Sequence, residues 1–344
     1  MKYDKPFLTY NAQIKLLKER GLIISDDNFA IHALNTISYY DLINRYKTYF
    51  MDSDEHFRPN LPIEYLYLFS LFDHKIQSFI LKYSSMIETL FKTRFAYVLS
   101  KEYGVDKADY LNQLNYETKL RPHGVTFKET ASIINYQLDP ARIKNPSKFY
   151  LHHHNHIPAW ILFKNISLGN SINLFRLLKP SAKRKVADVL LPTDFLSYDQ
   201  KTNYITLALN AIREFRNCIA HNLDFTSLRI TGRRRIPPDS LWGLMKDPLI
   251  QREKKKITQS DKEALQGIYG IMLAILSFLD NDYLRTLFVE EFLVIVSNDR
   301  NEDLFGEYAQ ITAIPSNIKT RLTSYYQELV QPKERRLHHV DGKE

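Results

Sequence analysis

The chain has 344 residues, and 47 Lys and Arg against 39 Asp and Glu leave a net charge of +8. With 44% hydrophobic and 25% charged residues, ordinary globular values, wholesale disorder is excluded, and only ten glycines argue against turn-rich β architecture and glycine phosphate loops. The single cysteine, Cys218, excludes an intrachain disulfide. The longest strongly apolar stretch, Ile271 to Leu279, falls far short of the ~20 residues that span a bilayer, and the first ten residues carry no apolar signal region, so a cytoplasmic protein without membrane contact is expected.

Helical periodicity dominates in chain order. Thr9 caps a short helix through Ile14 and Leu17 that stops at Gly21. A second follows Ser25-Asp26-Asp27 and runs through Ala30, Leu34, Ile37 and Tyr40. Pro62 suits the first turn of a long helix reaching toward Gly104, with Phe69, Phe72, Ile76, Phe79, Tyr83, Ile87 and Leu90 three or four apart and a candidate break at Ser84-Ser85. Residues 105–157 carry Pro122, Pro140 and Pro146 and read as short helices and loops. Pro158 opens a helix bearing Trp160, which Gly169-Asn170-Ser171 punctuates before a run through Ile172, Phe175 and Leu178.

After Pro192 an amphipathic helix places Tyr204, Leu207, Ala211, Phe215 and Ile219 on one face. Residues 226–256 read as a basic loop or hairpin, and Ser260 to Glu263 as a capping box opening a helix with Leu265, Ile268, Met272, Ile275 and Leu279 inward. Two more helices span about 282–297 and 316–330, and the tail after Pro332 reads as polar and loose. The reading is all-α: an N-terminal helical region over 1–58, a helical core over 59–280 that includes the basic loop at 226–256, and C-terminal helices and tail over 281–344.

The charge is unevenly placed. Nine basic residues and no acid lie between Pro140 and Lys185, and nine more against three acids lie between Arg229 and Lys256. These segments hold +15 and leave −7 on the rest. Such concentration fits a polyanionic partner better than general solubility. Arg142, Lys144, Lys148, His153, Lys164, Arg176, Lys183, Arg184 and Lys185 in the first segment, and Arg233, Arg234, Arg235, Lys254, Lys255 and Lys256 in the second, are candidate RNA contacts, with solvated faces as the alternative. Neither segment shows the amphipathic stripe of a membrane-surface helix. The acidic run from Asp280 to Glu307 reads as a solvated face turned away from nucleic acid.

Arg216, Asn217 and His221 close the amphipathic helix. In RNA the 2′-hydroxyl is a built-in nucleophile, so a protein need supply only proton transfer and charge stabilisation. A His titrating near ~6.5 does the first, and a guanidinium does the second. Asn217 and His221 are four apart and share a helical face, whereas Arg216 and His221 lie about 140° apart on a regular helix. A surface Arg with a His capping its helix fits the same spacing. Glu88, on the long helix, is a candidate to orient the Arg or the His, with Arg94 within two turns of it; a packing ion pair is the alternative. Trp160 reads as core before it reads as a base platform. The His152–His156 run has neither a Cys nor an acid beside it, so no metal site and no cofactor are expected.

The stretch from Lys5-Pro-Phe-Leu-Thr-Tyr10 to Ile37-Ser-Tyr-Tyr-Asp41 resembles the start of abortive-infection (Abi) proteins of the AbiD/AbiF type. Ile87-Glu88 with Arg94 and Lys101 to Gly104, Ile157-Pro-Ala-Trp160 with Ser167-Leu-Gly169, and Arg216-Asn217-Cys-Ile-Ala-His221 resemble later family segments in the same order, the last being the motif of HEPN ribonuclease domains. Leu168 stands where an aromatic is expected. The resemblance implies a HEPN-type helical bundle with additional N- and C-terminal helices. It also implies metal-independent RNA cleavage leaving 2′,3′-cyclic phosphate ends, with Arg216, Asn217 and His221 as catalytic set. It further implies a composite site, hence a homodimer, and a small structured non-coding RNA as partner. A non-catalytic RNA-binding protein in stable complex with such an RNA is the alternative.

Overall fold

Apolar residues spaced three and four apart fold into helices throughout the computed structural model, which describes residues 5–118, 124–297 and 302–330. The helices are α1 (Tyr10–Glu19), α2 (Asp27–Ile37), α3 (Tyr39–Leu42), α4 (Lys47–Phe50), α5 (Ile63–Tyr103), α6 (Lys107–Tyr110), α7 (Phe127–Gln137), α8 (Ser147–His153) and α9 (Ala159–Asn165). There follow α10 (Leu168–Leu177), α11 (Pro180–Leu190), α12 (Tyr198–Ala220), α13 (Pro238–Met245), a two-residue hairpin of β1 (Arg252–Glu253) and β2 (Lys256–Ile257), α14 (Gln259–Ala264), α15 (Ile268–Phe278), α16 (Asp282–Ser297), α17 (Glu302–Thr312) and α18 (Ile318–Val330). The protein is all-α. The tail after Pro332 lies outside the described residues.

Local signals explain most boundaries. Thr9 Oγ1 accepts from the Ala12 N–H at the start of α1, and Gly21 beyond its end has φ +86°. Asp26 caps α2 through the N–H groups of Asn28 and Phe29. Pro62 precedes α5 rather than filling its first turn. That helix runs 41 residues unbroken to Gly104, whose φ of +96° ends it. Ser84 and Ser85 do not break it: Ser84 is buried in the long apolar face, and the Ser85 carbonyl accepts from the Thr89 hydroxyl at 3.0 Å. Phe91, not the half-buried Leu90, carries that face onward.

Three further sequence expectations are corrected. The break after Trp160 falls at Ile166-Ser167, where the Ser167 hydroxyl accepts from Asn170 N–H, so Gly169-Asn170-Ser171 is the first turn of α10. Thr258, not Ser260, caps α14, and Gly267 opens α15 separately, although all five residues expected inward are buried. Residues 226–256 hold a helix, α13, started by Pro238, together with the hairpin. Lys254 (φ +46°) and Lys255 (φ +68°) make the hairpin's turn, and Arg252 pairs with Ile257 and Glu253 with Lys256.

The chain forms two compact units, Met1–Ser78 with Val294–Thr312, and Phe79–Leu293 with Ala313–Glu344. In the first, the carboxylate of Asp73 is wholly buried. It accepts from the hydroxyls of Tyr46 (2.9 Å) and Tyr308 (2.8 Å) and from Gln77 Nε2 (2.8 Å), with Arg45 Nη1 at 3.9 Å. Burial raises its pKa above the usual carboxylate value, against the opposing pull of those hydrogen bonds and of Arg45. The folded protein thus keeps this proton to higher pH than the unfolded chain, which releases it near ~4. The contribution to stability is full below about pH 4 and is lost as pH rises through the folded value. Asp73→Asn, which cannot ionise, is expected to gain stability relative to wild type as pH rises from about 4 to 7. Thermal melts of both proteins across that range check it, and a pH-independent difference would refute it.

In the second unit every residue of α15 is buried, and its Ser277 hydroxyl meets that of Tyr204 on α12 at 2.7 Å. The acidic run is not a purely solvated face. Asp280 pairs with Arg94 at 2.6 Å, the Tyr83 hydroxyl donates to Glu291 at 3.0 Å, and that of Tyr326 donates to Glu290 at 2.9 Å. In the first unit Arg58 donates to Glu307 at 3.0 Å. Carboxylates of this run therefore hold helices together. Residues 298–301 of the run lie outside the described residues.

Candidate functional site

Helix α12 presents the candidate motif, and its ends are set by local chemistry. Ser197 and Gln200 form a reciprocal capping box at its start. Tyr204, Ile205, Ala208, Leu209, Ala211, Ile212, Phe215 and Cys218 are buried, while Leu207 and Ile219 of the expected face are only half-buried. The helix packs on α10, α11, α13 and α15. It stops at His221. Asn222 turns left-handed at φ +51°, the Asn222 N–H bonds to the Ile219 carbonyl, and the Leu223 N–H reaches back to the Cys218 carbonyl at 2.9 Å. That is a Schellman stop with Asn in place of Gly, and it leaves the His221 side chain exposed at the helix end.

Arg216 and His221 open on different hollows. The Arg216 guanidinium donates to Asn217 Oδ1 at 3.1 Å and lies 3.4 Å from Glu88 on α5. Glu88 also takes Lys92 at 2.6 Å, and Lys92 donates to the Ile166 carbonyl at 2.7 Å. Arg216 lines a hollow with Glu88, Lys92, Trp160 and Lys164. His221 lines another with Arg213, Asn217, Asp224 and Arg234. Asn217 is the link, since its amide oxygen accepts from Arg216 while the residue lines the second hollow. The regular helix persists from Arg216 to Ala220, so the angular offset expected from the spacing is retained. Arg216 is more than a third exposed, so its pair with Glu88 fixes orientation more than it adds stability. Arg94 is placed elsewhere, donating to Asp280 and to the Val189 carbonyl.

Arg213 is a residue the sequence reading missed. It precedes Asn217 and His221 by four and eight residues, the spacing of one helical ridge, and that spacing was the available signal. Among the described residues no carboxylate lies within ion-pair distance of it, and its Nε is buried without a hydrogen-bond partner. Glu214, beside it, is taken by Arg234 through two bonds of 2.9 Å.

The candidate RNA contacts divide by environment. Lys144, Lys148, His153, Lys164, Arg184, Arg233, Lys254, Lys255 and Lys256 are exposed, and Arg235 is half-buried. Arg142 pairs with Asp139 at 3.6 Å, Lys185 with Glu102, and Arg234 with Glu214. Arg176 and Lys183 are half-buried, and burial lowers the pKa of each. The His153 ring lies 4.4 Å from that of Phe149, tilted by 32°. Among the described residues no three His, Cys, Asp or Glu side chains gather as a metal site, and no helix is long and apolar enough to cross a membrane.

The sequence profile of the Abi-like protein family matches residues 32–225, more than half of the chain. The chain belongs to the Abi-like protein family. The matched span takes in α5 and the whole of α12 with Arg216, Asn217 and His221, and the family's name ties it to abortive infection. No curated protein and no solved structure matches the chain significantly.

Proposed function

We propose that the chain is a HEPN-type endoribonuclease of AbiD/AbiF character, acting in the cytoplasm in an abortive-infection system without a divalent metal. The observation that carries this reading is the Arg216-Asn217-x-x-x-His221 end of α12, with its guanidinium held by Glu88 and Asn217 and its imidazole exposed at the helix stop. The RNA 2′-hydroxyl attacks the adjacent phosphorus, and the 5′-oxygen leaves. His221 moves the proton, Arg216 stabilises the charge on the phosphorane, and Asn217 orients them. The products are a 2′,3′-cyclic phosphate and a 5′-hydroxyl.

That Arg216 and His221 of one chain line separate hollows favours a composite site completed by a second copy in a homodimer. The strained Lys254-Lys255 turn favours an RNA partner as well. Two lysines at positive φ cost roughly 1–2 kcal/mol each, which Asn-Gly would avoid, and both are exposed on the turn, where their charges can meet phosphates. A small structured non-coding RNA is the proposed stable partner. The competing reading, RNA binding without catalysis, is favoured by the engagement of Arg216 with Glu88. Incubation of end-labelled RNA with purified protein in EDTA separates the two. Fragments ending in cyclic phosphate support the nuclease; intact RNA, after removal of any co-purified nucleic acid, leaves the binding reading.

A further inference from the structure

Trp160 does not pack into the core as its helical position suggests. It is 45% exposed on α9, and among the described residues no aromatic ring or cation stacks on it. The second tryptophan, Trp242, contrasts with it, since the Arg252 guanidinium lies 4.0 Å from its ring. A single half-exposed apolar side chain needs no explanation by itself; what marks Trp160 is that its indole borders a hollow lined by cations and hydroxyls.

The surroundings say what kind of molecule covers it. The hollow beside Trp160 holds about 540 Å³, within the range of small-ligand sites. Its ionisable lining is Glu88, Lys92, Lys164 and Arg216, a net +2. Lys92 is spent on Glu88 and on the Ile166 carbonyl, whereas Lys164 is exposed and has no anionic partner among the described residues. Lys164 follows Trp160 by four residues and so rises from the same face of α9. Across the hollow α5 contributes Ser85, Thr89 and Thr93, four residues apart and exposed, which form a ridge of hydroxyls. An aromatic face, cations to one side and hydroxyls opposite (that of Thr89 donates to the Ser85 carbonyl and so offers its oxygen as an acceptor) match one nucleotide of a single strand: base on indole, phosphate on Lys164 and Arg216, sugar and base edges on the hydroxyls. An acidic peptide would use the cations but leave the indole and the hydroxyl ridge idle.

We infer that Trp160, Lys164 and the Ser85–Thr89–Thr93 ridge form a subsite for an unpaired nucleotide next to Arg216. The subsite deepens the RNA reading above and names Trp160 as the residue that stacks on a base flanking the scissile phosphate.

The test uses a short single-stranded 2′-O-methyl oligonucleotide of mixed sequence, which lacks the nucleophile and stays intact. In full-length Trp242→Phe protein, Trp160 is the sole tryptophan, and oligonucleotide binding is expected to quench its fluorescence. Trp160→Ala is expected to weaken binding roughly five- to 150-fold, the range for one stacked base, while Trp160→Phe keeps most of the affinity. Lys164→Gln is expected to reduce the salt slope of binding by about 0.7, one single-strand phosphate contact. Unquenched fluorescence at saturation, followed independently by anisotropy of a labelled oligonucleotide, overturns the subsite. So does wild-type affinity in Trp160→Ala with an unchanged melting temperature. Both readouts are independent of cleavage. If wild-type protein cuts RNA in EDTA but Trp160→Ala binds normally, the nuclease stands and the subsite falls. If nothing is cut yet the quench and the Trp160→Ala loss are seen, the subsite stands and the nuclease falls.

Discussion

His221→Ala is expected to lower RNA cleavage in EDTA by about 10²–10⁴-fold, the usual contribution of a positioned acid–base group, while RNA affinity changes little. The separation follows from geometry. The His221 ring is exposed at the end of α12, and what fixes the helix stop is backbone: the Asn222 and Leu223 N–H groups bonded to the Ile219 and Cys218 carbonyls. Removing the imidazole therefore leaves the Schellman stop and the core face of α12 in place, and the melting temperature should move by no more than a surface substitution moves it. Arg216→Ala should also abolish cleavage but lower affinity as well, because it removes a phosphate contact and leaves Glu88 with Lys92 alone. Rates from single-turnover cleavage and affinities for an uncleavable RNA, measured on the same preparations, read both effects. Equal cleavage by wild type and His221→Ala would remove His221 from the mechanism.

Arg321→Met is expected to cost about 3–5 kcal/mol, the loss seen when one partner of a buried ion pair is taken away, and to lower the melting temperature by about 10 °C. Arg321 on α18 and Asp261 on α14 are both buried, with Nη1 and Oδ2 2.9 Å apart. The same guanidinium nitrogen donates to the Leu249 carbonyl at 3.0 Å, and Arg321 Nε donates to Asn317 Oδ1 at 2.8 Å. The Gln251 N–H donates to Asp261 at 2.6 Å, and the Tyr269 hydroxyl donates to the Leu249 carbonyl. Among the described residues Asp261 Oδ1 has no hydrogen-bond partner, so losing Arg321 strands a carboxylate that is already under-satisfied. Leu249 and Gln251 lead directly into the hairpin that carries Lys254, Lys255 and Lys256. The variant should thus weaken RNA binding, through an untethered basic hairpin, without touching the motif on α12. Asp261→Ala combined with Arg321→Met should recover part of the loss, because neither charge then remains buried alone. Urea unfolding of wild type and the two variants decides it, and a loss below about 1 kcal/mol in Arg321→Met would mean that water solvates Asp261.

Much of the fold was legible because it rests on short-range rules. Thr9, Asp26, Gly21 and Gly104 act within one turn of where they stand, and the apolar repeat of α5 extends for 41 residues. Errors arose where two local signals competed. Ser84-Ser85 has breaker composition, yet Ser84 lies in a face whose burial outweighs it. Ser260 to Glu263 spells a capping box, yet Thr258 two residues earlier takes the cap. Helix α13 was missed because Pro237-Pro238 reads as a turn in sequence but serves as a helix start once Leu241 and Met245 find a core.

By itself the sequence determined the helical class, the two basic segments, and the Arg-Asn-x-x-x-His motif at a helix end, since periodicity, charge and residue order are properties of the chain alone. Only the tertiary structure decided that Glu88 reaches Arg216 while Arg94 turns to Asp280, that Arg216 and His221 open on separate hollows, and that Trp160 stays half exposed in the hollow that Lys164 also lines. Those outcomes depend on which faces of α5, α9 and α12 meet. Packing chooses those faces by summing many weak apolar contacts far apart in sequence, so no single motif announces them.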